Sequence, residues 1–371
     1  MSFKNILLML FPVISSLLIS TINLYIYTVF AKSIFKPYSL VVAVVLITIT
    51  IFEVLYFFSF RNYFLQERLY AFAIFCFAFS ISFFFIAIFY SPFDFLATKI
   101  PFSSERRRSL KAILDISFLI FAFSYFLKGI YNAIKKPTIK EVEVVLKNLK
   151  KELNFAIISD LHLGEYLKEE FLQRVVEEIN SLEYDALLIV GDMFDVDAKR
   201  AKKLIEPLKN IKKPIFFVTG NHEYFVGAAD LVKLLKESGI VVLDDRMVEF
   251  EGLNLAGAND LIASSFGYEN KSVDEILKDK KSDQPTLFLA HQPKYVIRNI
   301  KDEADLCICG HTHAGQIFPF GLLVKMDQKY LHGLYRDEFK QIYVSSGVGF
   351  WGPPIRVLAP AEIVLLKLIK E

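Results

Sequence analysis

Five of the six histidines in this chain fall in short motifs that also hold two aspartates and an asparagine: Asp160-Leu-His162, Gly191-Asp192, Gly220-Asn221-His222-Glu223, His291 and Gly310-His311-Thr-His313. Imidazole, carboxylate and carboxamide together form a mixed nitrogen and oxygen donor set, the kind that suits Mn, Fe or Zn. Holding two such cations side by side requires one carboxylate able to face both, and Asp192 has that place. In Asp160-x-His162 and His311-x-His313 the spacing lets both side chains of a pair leave a turn on one side, as a shared ion demands. Glycines before Asp192, Asn221 and His311 let the backbone turn sharply and come close to whatever the motifs hold.

Each motif needs an element to carry it. Asn154–Ser159 is an apolar run that ends at Asp160 and reads as a buried strand, and the pattern then alternates. A helix near Lys168–Ser181 leads into strand Ala186–Val190 and Gly191-Asp192. A second near Lys199–Asn210 leads into Ile215–Thr219 and Gly220-Asn221-His222. Open α/β sheets place ligands in the crevice outside the C-terminal ends of their strands, so motifs far apart in sequence converge there. Thr286–Ala290 delivers His291 and Leu306–Cys309 delivers His311 and His313 in the same way. Val142, Val144 and Val145 suggest a first edge strand, and Ile342–Ser345 and Ile363–Leu368 are expected in a second sheet packed on the first.

The order and spacing of these motifs resemble the calcineurin-like metallophosphoesterase family, over roughly the last 220 residues. The resemblance implies a four-layer αββα sandwich with two divalent metal ions, Mn being the expected metal and Fe or Zn the alternatives. By resemblance Asp160, His162, Asp192 and His313 bind the first metal, and Asp192, Asn221, His291 and His311 the second. It further implies hydrolysis of a phosphate ester or pyrophosphate by a metal-bridging hydroxide. His222, next to Asn221, is placed to give a proton to the leaving oxygen and is the expected catalytic residue. The tail from Val344 through Gly347, Gly349, Trp351 and Pro354 to Arg356 looks like the bacterial, membrane-associated branch of the family. That branch also resembles enzymes that cleave the pyrophosphate of UDP-diacylglucosamine, so a lipid-linked substrate is expected. The apolar residues Phe318, Phe320, Leu322 and Leu323 after His313 either dip toward lipid or an acyl chain, or pack between the two sheets.

Other residues near the motifs have plainer readings. Glu223 is expected to order the loop around His222. Asp195 either orients His162 or caps a helix. His332, the remaining histidine, belongs to a loop surface. Cys307 and Cys309 alternate along a strand and share a face, as buried thiols.

The first third of the chain is of another kind. Hydrophobic residues make up 54% of the sequence, too many for an ordinary soluble protein, and many of the 37 phenylalanines lie in this first third. Four apolar stretches stand out: the segment up to residue 31, Pro37–Phe60, Leu69–Tyr90 and about Ala112–Leu127. Most meet the roughly 20 residues needed to span a bilayer. The first is also far longer than the apolar core of a cleaved signal peptide. The chain therefore divides into a four-helix transmembrane domain over residues 1–130, a linker over 131–152 and a metallophosphoesterase domain over 153–371. Arg106-Arg107-Arg108 in the third loop favours an outward-facing enzyme, while Lys135, Lys136 and the lysines after them favour a cytoplasmic one. The expectation is a bacterial inner-membrane protein with its catalytic domain in the cytoplasm. Its partners are the lipid bilayer and a phosphorylated or pyrophosphate-linked substrate. A net charge of +2 supports no nucleic-acid partner. Glu53 and Asp115 inside the apolar stretches keep a second class open: a transporter or sensor whose C-terminal domain binds nucleotide or phosphate for regulation.

Overall fold

The computed structural model describes residues 3–31, 33–62, 64–99, 101–336 and 340–371. The chain forms two compact units, one of residues 1–131 with 352–355, the other of residues 132–351 with 356–371.

In the first unit four helices follow one another: α1 (Phe3–Ile26), α2 (Ser39–Asn62), α3 (Glu67–Lys99) and α4 (Ser104–Ile134). All four are long and apolar enough to cross a membrane. Their outward faces carry large apolar side chains such as Leu17, Leu18, Leu40, Ile113 and Phe121, which water would not tolerate over such an area and a bilayer would. Helices α3 and α4 run beyond the apolar stretches because their polar ends, at Glu67, Lys99 and Arg106 to Arg108, are themselves good helix formers. Asp115 does not stand alone: Lys111 pairs with it one turn away and with Asp94 at 3.0 Å, and the Tyr90 hydroxyl donates to it at 2.6 Å.

The second unit holds two six-stranded sheets. Its elements in chain order are β1 (Thr138–Leu146), β2 (Leu153–Ile158), α5 (Glu169–Asn180), β3 (Ala186–Val190), α6 (Ala198–Leu204), β4 (Ile215–Val218), α7 (Asn221–Val226), α8 (Ala228–Glu237), β5 (Val241–Val242), β6 (Arg246–Phe250), β7 (Leu253–Gly257), α9 (Val273–Ile276), β8 (Thr286–Leu289), α10 (Pro293–Asn299), β9 (Leu306–Cys309), α11 (Gly321–Gln328), β10 (Gly333–Arg336), β11 (Gln341–Val344) and β12 (Glu362–Lys370). The first sheet has the order β1-β12-β2-β3-β4-β5 and the second β10-β11-β9-β8-β7-β6. One core joins them, with Phe155, Leu188, Val218 and Leu366 from the first sheet against Leu255, Leu287, Ile308 and Tyr343 from the second. On the outer face of the second sheet, Phe288, Cys307 and Cys309 pack on Val273, Ile276 and Val296 of α9 and α10.

The local reasons are simple. The fully buried runs of β3, β8 and β9, and of β2 apart from Asn154, suit strands covered on both faces. Helix α5 buries Leu172, Val175, Val176 and Ile179, the spacing of one helical face.

Two expectations differ from this arrangement. Strand β12, expected in the second sheet, lies inside the first, parallel to β1 and antiparallel to β2. Its apolar residues alternate too little to mark one face, and a run buried on both sides fits a central position. Within the stretch read as a linker, Thr138–Leu146 is β1, paired along its whole length with β12. The alternation of buried Val142, Val144 and Leu146 with exposed Glu141, Glu143 and Val145 is that of an edge strand.

Candidate metal centre

The motif side chains converge where the C-terminal ends of five parallel strands meet. Asp160 and His162 follow β2, Asp192 follows β3 and Asn221 opens α7 after β4, three adjacent strands of the first sheet. From the second sheet, His291 follows β8 and His311 and His313 follow β9. Donor atoms of Asp160, His162 and His313 lie within 4.8 Å of one another, as do those of Asp192, His291 and His311. Asp192 stands between the two groups. Its Oδ2 is 3.1 Å from His291 Nε2, 3.9 Å from His162 Nε2 and 4.0 Å from His222 Nε2.

The residues fit divalent cations. Among the described residues Asn221 Oδ1 has no hydrogen-bond partner though it is buried, which is expensive unless something positive meets it. His291 Nε2 faces Asp192 without hydrogen-bond alignment, while its Nδ1 lies 2.8 Å from the Val190 carbonyl oxygen. Donation of the Nδ1 hydrogen to that carbonyl leaves the Nε2 lone pair free for a metal. His162 and His313 point their Nε2 atoms at each other across 3.1 Å. Two ring nitrogens so aimed, with Asp160 Oδ1 3.4 Å from His313 Nε2, make a place for a cation.

The backbone is bent to make this arrangement. Asp160, His162, Asp192, His311 and His313 all have positive φ, between 48° and 70°, where non-glycine residues are disfavoured. Strain of this kind costs about 1–3 kcal/mol per residue and gathers where function requires it. The neighbouring glycines give room more than flexibility. A Cβ on Gly220 would lie 2.2 Å from Asp192 Oδ1, and one on Gly310 2.7 Å from Asp160 Oδ2. Only Gly191 of the three also has a positive φ, 78°. Gly220→Ala is therefore expected to displace the Asp192 carboxylate and weaken Mn²⁺ binding at least tenfold by calorimetric titration; unchanged affinity would show that the loop yields freely.

Several supporting roles are visible only in three dimensions. Asp195 Oδ1 accepts from two rings, His162 Nδ1 at 2.9 Å and His222 Nδ1 at 2.7 Å, and the cap of α6 is Asp197 instead. One carboxylate thus fixes both a candidate ligand and the candidate proton donor. The buried Glu223 accepts from four backbone amides, those of Asp192, Met193, Phe194 and Gly220, tying the β3 and β4 loops together. Arg356, wholly buried, has Nη2 3.2 Å from His313 Nδ1 and donates to carbonyls of Ser346, Gly349 and Ala359. An arginine inside the apolar tail Pro353-Pro354-Ile355-Arg356-Val357 was the signal for it. His332 is exposed on a loop.

Charge follows position. Burial raises the Asp192 carboxyl, but the His291, His222 and His162 rings hold it well below the usual carboxylate range. Burial lowers His222, and Asp192 and Asp195 outweigh it, carrying the imidazole up to about 9. Burial and then Asp192 push Glu223 up to about 8. Burial, with His291 beside it, pulls His311 down to about 3.

A two-sheet sandwich with clustered histidine, carboxylate and carboxamide donors at its strand ends defines a metal-dependent phosphoesterase. The family model for calcineurin-like phosphoesterases matches residues 153–315. A Helicobacter pylori metallophosphoesterase is 41% identical over 293 residues, covering 78% of this chain and 79% of its own. A Campylobacter jejuni metallophosphoesterase is 32% identical over 370 residues, 97% of this chain and 98% of its own. A Danio rerio transmembrane protein with a metallophosphoesterase domain is 33% identical over 258 residues, 65% of this chain and 59% of its own. The chain belongs to the calcineurin-like metallophosphoesterase family. Its apolar helices and its transmembrane relatives associate it with a membrane.

Proposed function

We propose that this chain is a membrane-held, two-metal phosphoesterase that hydrolyses a phosphate ester or pyrophosphate carried by a lipid. Asp160, His162, Asp192 and His313 would hold one cation, and Asp192, Asn221, His291 and His311 the other. Cations bound there supply Lewis acidity to phosphoryl oxygens and lower the pKa of a shared water. The protein's own groups do the rest. His222, its Nδ1 held by Asp195, keeps Nε2 turned to the site and serves the leaving oxygen. Asp195 prevents that ring from turning away, and Glu223 holds the two loops that carry Asp192 and His222 in register.

The observation that carries the lipid reading is the surface just beyond His313. Phe318, Phe320, Leu322, Leu323 and Met326 are all exposed, Met326 at 82% and the two leucines at 60%. The second expectation for this segment, packing between the sheets, does not agree with that exposure. Leu358, also exposed, follows Val357, whose carbonyl accepts from Phe318 N at 3.2 Å. An apolar shelf this dense, beginning five residues after a candidate ligand, suits acyl chains better than water. Burying each phenylalanine against a chain is worth about 1.5–3 kcal/mol. The Phe318→Ser, Phe320→Ser double variant is therefore expected to lose roughly 10-fold or more in kcat/KM on an acylated nucleotide such as UDP-diacylglucosamine. A soluble aryl phosphodiester should be turned over as before. Equal losses on both substrates would sink the lipid reading. The assay uses the full chain purified in detergent with Mn²⁺.

We place the catalytic domain on the cytoplasmic face of a bacterial inner membrane, on the strength of Lys135, Lys136 and the lysines that follow the fourth span. A reporter fused after Glu371 tests this, since only one orientation leaves it active.

A further inference from the structure

We infer that the membrane helices hold a second, independent binding site, for a monovalent cation, built around Glu53. Three of the candidate spans contribute to it: Asn23 from α1, Thr50 and Glu53 from α2 and Ser80 from α3. Glu53, Asn23 and Ser80 are buried, Glu53 completely. The Asn23 carboxamide donates to Glu53 Oε2 at 2.6 Å and to Thr50 Oγ1 at 2.9 Å. Ser80 Oγ donates to Asn23 Oδ1 at 2.7 Å, and Thr50 Oγ1 donates to its own helix at Leu46 O, 2.8 Å away.

Counting hydrogens shows what is missing. Both amide hydrogens of Asn23 are committed, Thr50 donates to Leu46 O, and the single hydroxyl hydrogen of Ser80 is shared between Asn23 Oδ1 and the nearby Glu53 carboxyl. Glu53 Oε1 is buried without a hydrogen-bond partner among the described residues. Four side chains thus converge with more lone pairs than hydrogens, and one carboxylate oxygen is left over. Among the described residues of α1 and α3 no fixed positive charge answers it: α1 carries no charged residue from Leu10 to Ile26, and α3 none between Arg68 and Asp94. The titratable neighbour facing Glu53 from α3 is the Cys76 thiol, which offers no cation. An isolated carboxylate in hydrocarbon is not tolerated, so a positive species must complete the group. The lone pairs available there, on Glu53, Thr50 and Ser80, belong to hard oxygens that carry a single negative charge, which matches Na⁺ or a proton rather than a divalent metal. An interhelical hydrogen-bond network that only holds the bundle together would use up its acceptors internally.

The test uses the full chain in lipid nanodiscs with the phosphoesterase centre stripped by chelator, so neither outcome depends on catalysis. Two readouts are taken: the thermal midpoint as NaCl replaces choline chloride at constant ionic strength, and the infrared carbonyl band of a neutral carboxyl across pH. Expected is either a sodium-dependent rise in midpoint that Glu53→Gln abolishes, which assigns Na⁺, or a neutral-carboxyl band that is lost at alkaline pH and is missing in Glu53→Gln, which assigns a proton. Ser80→Ala, which removes one oxygen and keeps the carboxylate, should weaken either response several-fold and serves if Glu53→Gln does not fold. A Glu53 band that never titrates together with a midpoint indifferent to Na⁺ overturns the inference, as does a response of the same size in Glu53→Gln.

Discussion

Asp192→Asn is expected to lower kcat by roughly three powers of ten, about 4 kcal/mol of lost transition-state stabilisation, and to reduce bound Mn²⁺ below that of the wild-type chain. The argument rests on where Asp192 stands. It stands between the two donor groups, with Oδ2 turned to His291, His162 and His222 and Oδ1 accepting from the His222 amide at 2.9 Å. Asparagine keeps the shape and can keep that amide contact, so the loop after β3 should hold. What it loses is the negative charge that any cations at this place must share, and it brings a hydrogen-bearing nitrogen where a lone pair is required. Metal content by plasma mass spectrometry and turnover of an aryl phosphodiester check the two halves separately. Wild-type metal content with slow turnover would mean that Asp192 acts on the substrate and not on the metals; wild-type values for both would remove it from the centre.

What could be read before the structure, and what could not, divides along physical lines. Asp160, Asp192, Asn221, His291 and His311 were legible as a group because each ends an apolar run, and the rule that strand ends converge does not require knowing the sheets. Sheet membership was not legible. A strand pattern records which faces are buried and not which neighbour it pairs with, so β12 could be recognised as a strand and still be assigned to the wrong sheet. The left-handed backbone at five of the motif residues left no trace either, since aspartate and histidine enter that region more readily than most residues but are not marked by it. Asp195 stayed ambiguous because a cap and a ring-orienting acid look alike in sequence. Only the placement of Asp197 at the cap and of two imidazoles around Asp195 separates them.

Loss of Arg356 should cost the fold heavily. Arg356→Met is expected to lower the stability of the catalytic domain by about 3–5 kcal/mol, the usual cost of stripping one partner from a buried, charge-assisted network. Against a total of about 5–15 kcal/mol for a typical domain, that is a shift of many degrees in Tm. The guanidinium donates to Gly349 O through Nε at 2.9 Å, to Ala359 O at 3.0 Å and to Ser346 O at 2.9 Å, and methionine would leave those carbonyls buried without donors. Burial, only partly offset by Asp160 and Glu362, lowers its pKa to about 10, so it remains charged at neutral pH. The damage should also reach the metal centre. The same loop presses on it, with Val348 N donating to Ser159 O at 3.0 Å, Gly349 N to Asp160 O at 2.9 Å, and a Cβ on Gly347 reaching within 2.8 Å of Asp160 Cβ. If Arg356 holds that loop in place, Arg356→Met should weaken Mn²⁺ binding as well as lower Tm. Arg356→Lys keeps the charge but not the planar fork, and should recover only part of each. Differential scanning calorimetry and Mn²⁺ titration of the two variants decide the matter. A wild-type Tm in Arg356→Met would mean that the tail finds its place without the guanidinium, and full recovery by lysine would mean that charge alone suffices.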